Sequence, residues 1–303
     1  MYIEAQIVPF GDEHILIPNQ FEAIKQNLLR LPLLHTFWVE LNENDGYKNT
    51  TRDDLCNWIN RLTQQHINEW LVIVLEPNDK KLNKSAKLLS TRTSPVDKVR
   101  ADFPPNVKNA TDHCIALCDP SKSVEIYQQF QAKLRNWLLS SYSRHLSAYE
   151  DYIRTERERR NSSIWNFFEF FFLQEQLAFA FEALSLYDEA LVQYDELDAL
   201  FSQFVINSNI GEMPDWLRQL SDDCDNWHGL CLATAHSKQL RLRLQGHKRS
   251  LLDLRSYLFA RQCELLLLHN RPWELASRSL PFLQNAVTEL KLLEVGFYCW
   301  LVR

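Results

Sequence analysis

Glycine is scarce in this chain. Of 303 residues only six are Gly (Gly11, Gly46, Gly211, Gly229, Gly246 and Gly296). None follows a strand-like run in a G-x-x-x-x-G-K-[ST] or G-x-G-x-x-G setting. Without such a loop the backbone cannot approach a pyrophosphate closely, so no nucleotide cofactor is expected. The seven cysteines are scattered and no C-x-x-C occurs. That pattern fits reduced core thiols and argues against a zinc site or a disulfide framework. No apolar run approaches the ~20 residues a membrane-crossing helix needs. The opening MYIEAQIVPFGDEH has acids and no basic lead, so it does not read as a signal peptide. Sequons start at Asn49, Asn83, Asn109 and Asn161, and in a cytosolic chain they are not read. A formal charge of −6 argues against nucleic acid as a main partner. One local absence is sharper still. From Asn161 to Leu217 there is no Lys or Arg.

What is present is a folded composition, 46% apolar and 24% charged. The first 120 residues alternate strand-like and helix-like segments. Residues 1–30 offer only a short edge-strand candidate at Ile15–Ile17 and a helical pattern from Phe21 to Leu31, closed by Pro32. Leu34–Leu41 reads as a strand. Thr51–His66 reads as a helix with Thr51 as N-cap and Leu55, Trp58, Ile59 and Leu62 on one face. Trp70–Leu75 (WLVIVL) is continuously apolar, as a strand covered on both faces would be. A basic loop with Lys80, Lys81, Lys84, Lys87 and Arg92 follows, then a helix opened by Pro95, and then a third buried strand at Cys114–Cys118. This order predicts a small parallel α/β domain over 1–120. It has a nucleotide-binding outline without the phosphate loop.

Residues 121–303 are expected to be all helical, an α-helical solenoid of tetratricopeptide-like hairpins interrupted by an irregular loop at 205–248. Ser123–Arg160 reads as one or two long helices ending in Arg154, Arg157, Arg159 and Arg160. Ile164–Phe204 reads as two helices meeting at a corner near Leu184–Asp188. The first half is apolar nearly all round, so it needs cover on more than one side. The second half has a single apolar stripe, with Asp188, Glu189, Asp195, Glu196 and Asp198 on its other faces. Tyr187 and Ala190 form the packing corner, and Trp273 and Ala276 echo it 86 residues later. The spacing is not a multiple of the usual period of about 34.

No residue set suggests catalysis. His113 and Cys114 are adjacent in a strand and point to opposite faces. The acids of the second helix read as a wet face or as a docking surface for a basic partner. The partner-interface candidates are therefore Asp188, Glu189, Asp195, Glu196 and Asp198, with Trp165, Phe168 and Phe171 from the apolar excess beside them. No catalytic, cofactor or metal residue is assigned. The alternatives weighed are a nucleotide-binding enzyme on residues 1–120 and a tetratricopeptide-type peptide receptor.

Several long strings resemble the N-terminal region of the trafficking protein particle complex subunit 10 family, which is specific to the TRAPP II assembly. They are LQEQLAFAFEALSLYDEALVQYDELDALFSQF (173–204), LLDLRSYLFARQCELLLL (251–268), RPWELA (271–276) and LKLLEV (290–295). TRTSPVDKVRADF (91–103) and LHTFWVE (34–40) add to them, so the resemblance runs from about Leu34 to Val295. The tail GFYCWLVR departs from it. The resemblance implies a non-enzymatic scaffold in vesicle tethering, cytoplasmic and peripherally associated with Golgi and endosomal membranes. It implies partners among the other TRAPP subunits, with the core reached through an adaptor subunit. A Rab GTPase would be met through the assembled complex, whose nucleotide exchange is carried by other subunits.

Overall fold

The computed structural model describes residues 32–40, 51–65, 67–75, 95–102, 113–117, 124–208, 211, 213–221, 233–246 and 249–293. The chain divides into two compact units. Described residues up to Ser147 belong to one, and those from Ala148 belong to the other. The candidate elements within 1–30, the basic loop and the tail lie outside the described residues, as does Cys118.

The first unit is a small parallel α/β structure. Strands β1 (His35–Glu40), β2 (Trp70–Leu75) and β3 (Cys114–Leu117) pair in that order, all parallel. Phe37 stands opposite Val72, and Val72 opposite Cys114. The three strands match the sequence reading to within a residue or two. Successive side chains point to opposite faces, and the two faces carry two cores. Val39, Val72, Val74 and Cys114 pack against Leu55 of α1 (Arg52–Gln64) and Val96 and Val99 of α2 (Pro95–Asp102). Leu71, Ile73 and Ile115 pack on the other side against Phe130 of α3 (Val124–Glu158). Both crossover helices thus share one face, as crossovers of the same hand require. That sandwich is why β2 has no alternation: a strand covered on both faces gains from apolar residues at every position. Thr51 is corrected in detail. Its backbone is already helical and its side chain makes no capping bond.

The second unit is helical. The last turns of α3 lead through a 3-10 turn (Arg159–Asn161) to α4 (Phe167–Ala183) and α5 (Tyr187–Ser208). Then come α6 (Asp215–Arg218), α7 (Thr234–Gln245), α8 (Leu251–Leu268) and α9 (Pro272–Leu292). The Asn166 side chain accepts the Phe168 N–H and starts α4. The all-round apolar surface of α4 is covered on several sides. Phe167 meets Phe201 of α5, Trp216 of α6 stacks on Phe167, and Phe171 meets Tyr257 of α8. The Tyr149 hydroxyl of α3 also donates to the Leu173 carbonyl. Helix α8 is the centre, packed by α5, α7 and α9 and buried at nearly every position.

Part of the stretch read as irregular, 205–248, is helical. α5 continues to Ser208, and α7 fills Thr234–Gln245. The segment KQLRLRLQ alternates Leu and Arg, which hides a helical period. Leu240 and Leu244 are nevertheless one inner face.

The two corners share a backbone device. Ser185 (φ 62°) and Asn270 (φ 58°) both take the left-handed conformation. After each, the chain closes with the same pair of bonds: Leu186 N–H to Phe181 O and Ser185 N–H to Glu182 O, then Arg271 N–H to Leu266 O and Asn270 N–H to Leu267 O. This is the Schellman ending of a helix. The corners are equivalent at a spacing of 85 residues (185 to 270), one less than the aromatic spacing suggested. Trp273 therefore corresponds to the exposed Asp188, not to Tyr187. It is 68% exposed and wedges nothing. Ala276 is also exposed, whereas Ala190 is fully buried.

Candidate functional site

The acids of the cation-free stretch converge with arginines from α3, α8, α9 and the corner before α9. Asp188 faces Arg271 at 2.8 Å and His269 at 3.4 Å. Asp195 holds Arg278 through both oxygens, at 2.6 and 3.0 Å, and accepts from Gln262 at 2.8 Å. Glu196 pairs with Arg157 of α3 and accepts from Gln174 at 2.8 Å. Asp198 pairs with Arg255, which also pairs with the buried Glu289 of α9 and lies 4.7 Å from the Phe201 ring. Glu182 of α4 pairs with Arg261, whose Nε–H donates to the Tyr194 hydroxyl at 3.1 Å. Of the five acidic interface candidates, Glu189 and Asp188 are exposed, and the other three are half-buried.

Asp188, Asp195, Glu196 and Asp198 are thus engaged by cations of the same chain, while Glu189 stays on the exposed face. The hairpin lacks cations because α3, α8 and α9 supply them. Two of the aromatic candidates are also spent inside. Phe168 is 1% exposed and Phe171 fully buried. Trp165 is half-buried, stacks on Phe204 at 5.3 Å and donates to the Glu156 carbonyl at 3.0 Å.

The most perturbed carboxyl is Glu175 of α4, which is fully buried. Burial raises its pKa from the ordinary value, against the pull of Arg241 at 2.7 Å and of the Tyr257 hydroxyl. A perturbed acid in a cleft would suggest chemistry. Glu175 is enclosed in the core, and its partners are an arginine and a phenol. Cys263 is likewise no nucleophile. Burial pushes its thiol up to about 12. Among the described residues no group of three or more His, Cys, Asp or Glu is placed to hold a metal ion. In the first unit, His113 stacks on Trp70 at 4.0 Å, while Cys114 sits in the core. The ends of the loops beyond the strands, where a nucleotide would sit on such a sheet, lie outside the described residues.

Two surface features remain. A cleft of about 410 Å³ opens between α5 and α9, lined by Asp195, Asp198, Arg278 and Pro281 over the stacked Phe259 and Phe282. On another side of α9, Trp273, Ala276, Leu280 and Leu283 recur at three- and four-residue steps. Trp273, Leu280 and Leu283 are 68%, 62% and 49% exposed. The inner side of the same helix is also apolar, with Ala286, Leu290 and the following Leu293 buried. A helix apolar on two sides is built to be covered on both. In the sequence, Trp273 and Ala276 read as a corner and not as part of a stripe. The signal was the continuation through Leu280 and Leu283.

Residues 1–160 match the family model described as trafficking protein particle complex subunit 10-like, N-terminal. The chain is 43% identical over 309 aligned residues to the human trafficking protein particle complex subunit 10, covering 99% of this chain and 24% of that protein. Against the Drosophila melanogaster protein of the same name identity is 38%, over 98% of this chain and 26% of the relative. An Arabidopsis thaliana trafficking protein particle complex II-specific subunit 130 homolog is 28% identical over 88% of this chain and 20% of its own length. The chain spans about a quarter of the length of the curated relatives it matches. No solved structure matches.

Proposed function

This chain belongs to the trafficking protein particle complex subunit 10 family, and we propose that it is a non-catalytic scaffold region of a TRAPP II vesicle-tethering complex. Its work is to hold other subunits in one orientation, so that an exchange-factor core carried by those subunits meets its Rab GTPase productively. Golgi and endosomal membranes would be reached peripherally, through the assembled complex. No helix among the described residues is long and apolar enough to cross a membrane.

The observation that carries this reading is the uncovered stripe Trp273, Ala276, Leu280, Leu283 on α9. Burying an exposed apolar side chain of this size is worth about 1.5–3 kcal/mol. Three of them on one stripe are enough to anchor a helix of another subunit. The repeated Schellman corner supports α4–α5 and α8–α9 as stacked hairpins of a solenoid, with α9 presenting its free side to the next layer.

Co-purification with recombinant TRAPP core and adaptor subunits tests the proposal. Leu280→Ser combined with Leu283→Ser should lower recovery while leaving the melting curve of the chain intact. Full recovery with the double variant removes the stripe from the interface. Charge reversal at Asp195 or Glu196 is a poor probe of docking, because it breaks internal ion pairs. Calorimetry with guanine and adenine nucleotides addresses the enzyme alternative, since micromolar binding would contradict a purely positional role.

A further inference from the structure

The turn joining α3 to α4 reads Arg159-Arg160-Asn161-Ser162-Ser163-Ile164, and every residue from Arg159 to Ile164 is exposed. Ile164 is 90% exposed, the most exposed of the large apolar residues described. Ser162 has an extended backbone, φ −74° and ψ 141°. We propose that Ser162 is a phosphorylation site for a basophilic serine/threonine kinase. Such an enzyme reads cationic side chains at fixed steps before an extended acceptor, and Arg159 and Arg160 stand three and two residues before this one.

Geometry singles out this serine. Ser147 also has an arginine, Arg144, three residues before it. It sits inside α3, however, where neither residue can be drawn into an extended strand without melting the helix. Ser250 follows Lys248 and Arg249, but its hydroxyl oxygen accepts the Asp253 N–H as the cap of α8. Ser163 has Arg160 at the third position but Asn161 at the second. Among the described serines and threonines, Ser162 combines both arginines with exposure and an extended backbone. Presenting it costs few contacts. The Ser162 N–H to Arg159 O bond (2.8 Å), the Trp165 N–H to Ser162 O bond (3.1 Å), the Arg160 Nη1 to Arg157 O bond (3.3 Å) and the Arg159–Glu156 pair (3.0 Å) would open.

The arginine cluster is not a lipid-binding patch. Arg154, Arg157, Arg159 and Arg160 are interleaved with Glu150, Asp151, Glu156 and Glu158, so the segment has no net charge to draw it to an anionic membrane. A kinase reads position, not net charge. In the transfer, the Ser162 hydroxyl oxygen attacks the γ-phosphorus of ATP. The bond from that phosphorus to the β,γ-bridging oxygen breaks, ADP leaves with the electron pair, and the hydroxyl proton passes to the kinase's carboxylate base. The product carries a charge of about −1.5 to −2 beside two arginines. It competes with Glu156 for Arg159 and re-forms the turn around a phosphate.

The test is incubation of the whole purified chain with ATP and the catalytic subunit of cAMP-dependent protein kinase, followed by mapping of the phosphate by mass spectrometry. One phosphate per chain is expected, on Ser162. Ser162→Ala should abolish it and Ser163→Ala should leave it. Arg159→Ala and Arg160→Ala should each lower the rate about tenfold, the worth of one charge-assisted contact. Phosphate on Ser163 or Ser147 instead would overturn the proposal. So would an unmodified native chain, even where a synthetic peptide of residues 156–166 is modified, because the turn would then not open.

Discussion

Replacing Arg255 by Met tests the claim that the second unit is tied by buried ion pairs. The Arg255 side chain is 4% exposed, Glu289 is 6% exposed and Asp198 is 35% exposed. Deleting the guanidinium strands Glu289, whose other hydrogen-bond donor is the Ser202 hydroxyl at 3.2 Å. A buried charge that loses its partner costs about 3–5 kcal/mol. Asp198 can turn to water, so its share is at most about 1 kcal/mol. Loss of the contact with the Phe201 ring adds roughly 0.5–1 kcal/mol, and the Met sulfur returns some of it. The expected cost of Arg255→Met is therefore about 3–5 kcal/mol. With a urea slope near 2 kcal/mol/M, that is a midpoint shift of roughly 1.5–2.5 M. The double variant Arg255→Met with Glu289→Leu removes both charges and should recover to within about 1 kcal/mol of the parent. Urea unfolding followed by Trp165 and Trp216 fluorescence reads both. Added salt should change little, because buried pairs are poorly screened. A single-variant cost below about 1 kcal/mol, or a double variant as weak as the single, would refute the reasoning.

Ser185→Gly should stabilise the chain by about 0.5–1 kcal/mol in thermal unfolding, because glycine takes the left-handed corner without the Cβ penalty. Asn270→Gly should gain less, since Asn tolerates that conformation. Burial pushes the His35 and His145 imidazoles down, helped by the charge of His145 at His35 and by that of Arg144 at His145. The unfolded chain then binds more protons, so stability from these sites is present above the unfolded value of about 6.5 and lost as pH falls towards the folded value. His145→Gln should flatten the dependence of the melting temperature on pH below about 6.5. Glu175 runs the other way. Its folded-state pKa is raised, so the folded chain binds the extra proton, and the stability gained from it is lost as pH rises through the folded value. Glu175→Gln should flatten that decline, as read by urea midpoints across the pH range. Asn166→Ala should cost about 1 kcal/mol through the missing cap of α4.

The sheet was legible because a strand buried on both faces leaves an unmistakable apolar run, WLVIVL, with helices of clear amphipathic period on either side. The α4–α5 hairpin was legible for the same kind of reason, because its apolar positions outnumber what one face can use. Three things were hidden. A helix written KQLRLRLQ alternates like a strand, and only its packing on α8 reveals the period. The second corner was sought through aromatic spacing. The residues that set it are Ser185 and Asn270, whose left-handed backbone carries no glycine to announce it. The acids of α5 were visible, but not what they faced, because their partners lie up to 83 residues away in sequence.

Apart from His269 beside Asp188, the cations among those partners are arginines. Between Ala233 and Leu293 the chain also carries Lys238, Lys248 and Lys291, but Arg241, Arg255, Arg261, Arg271 and Arg278 meet the acids of α4 and α5. Lysine could supply the charge but not the geometry. Arg278 binds both oxygens of Asp195. Arg261 reaches Glu182, Glu264 and the Tyr194 hydroxyl at once while lying over the Phe179 ring. A planar fork that is weakly hydrated and stacks on aromatic faces can be buried among phenylalanines where an ammonium would hold its water. Ion pairs of this kind add little net stability against an apolar alternative. Their effect is on register. Sliding α8 by one residue against α5 would move Arg255 and Arg261 off Asp198 and Tyr194 and leave charges stranded in the interior. An acid-only hairpin met by arginine-bearing helices therefore fixes how these helices meet, and the scaffold role proposed above would depend on that rigidity.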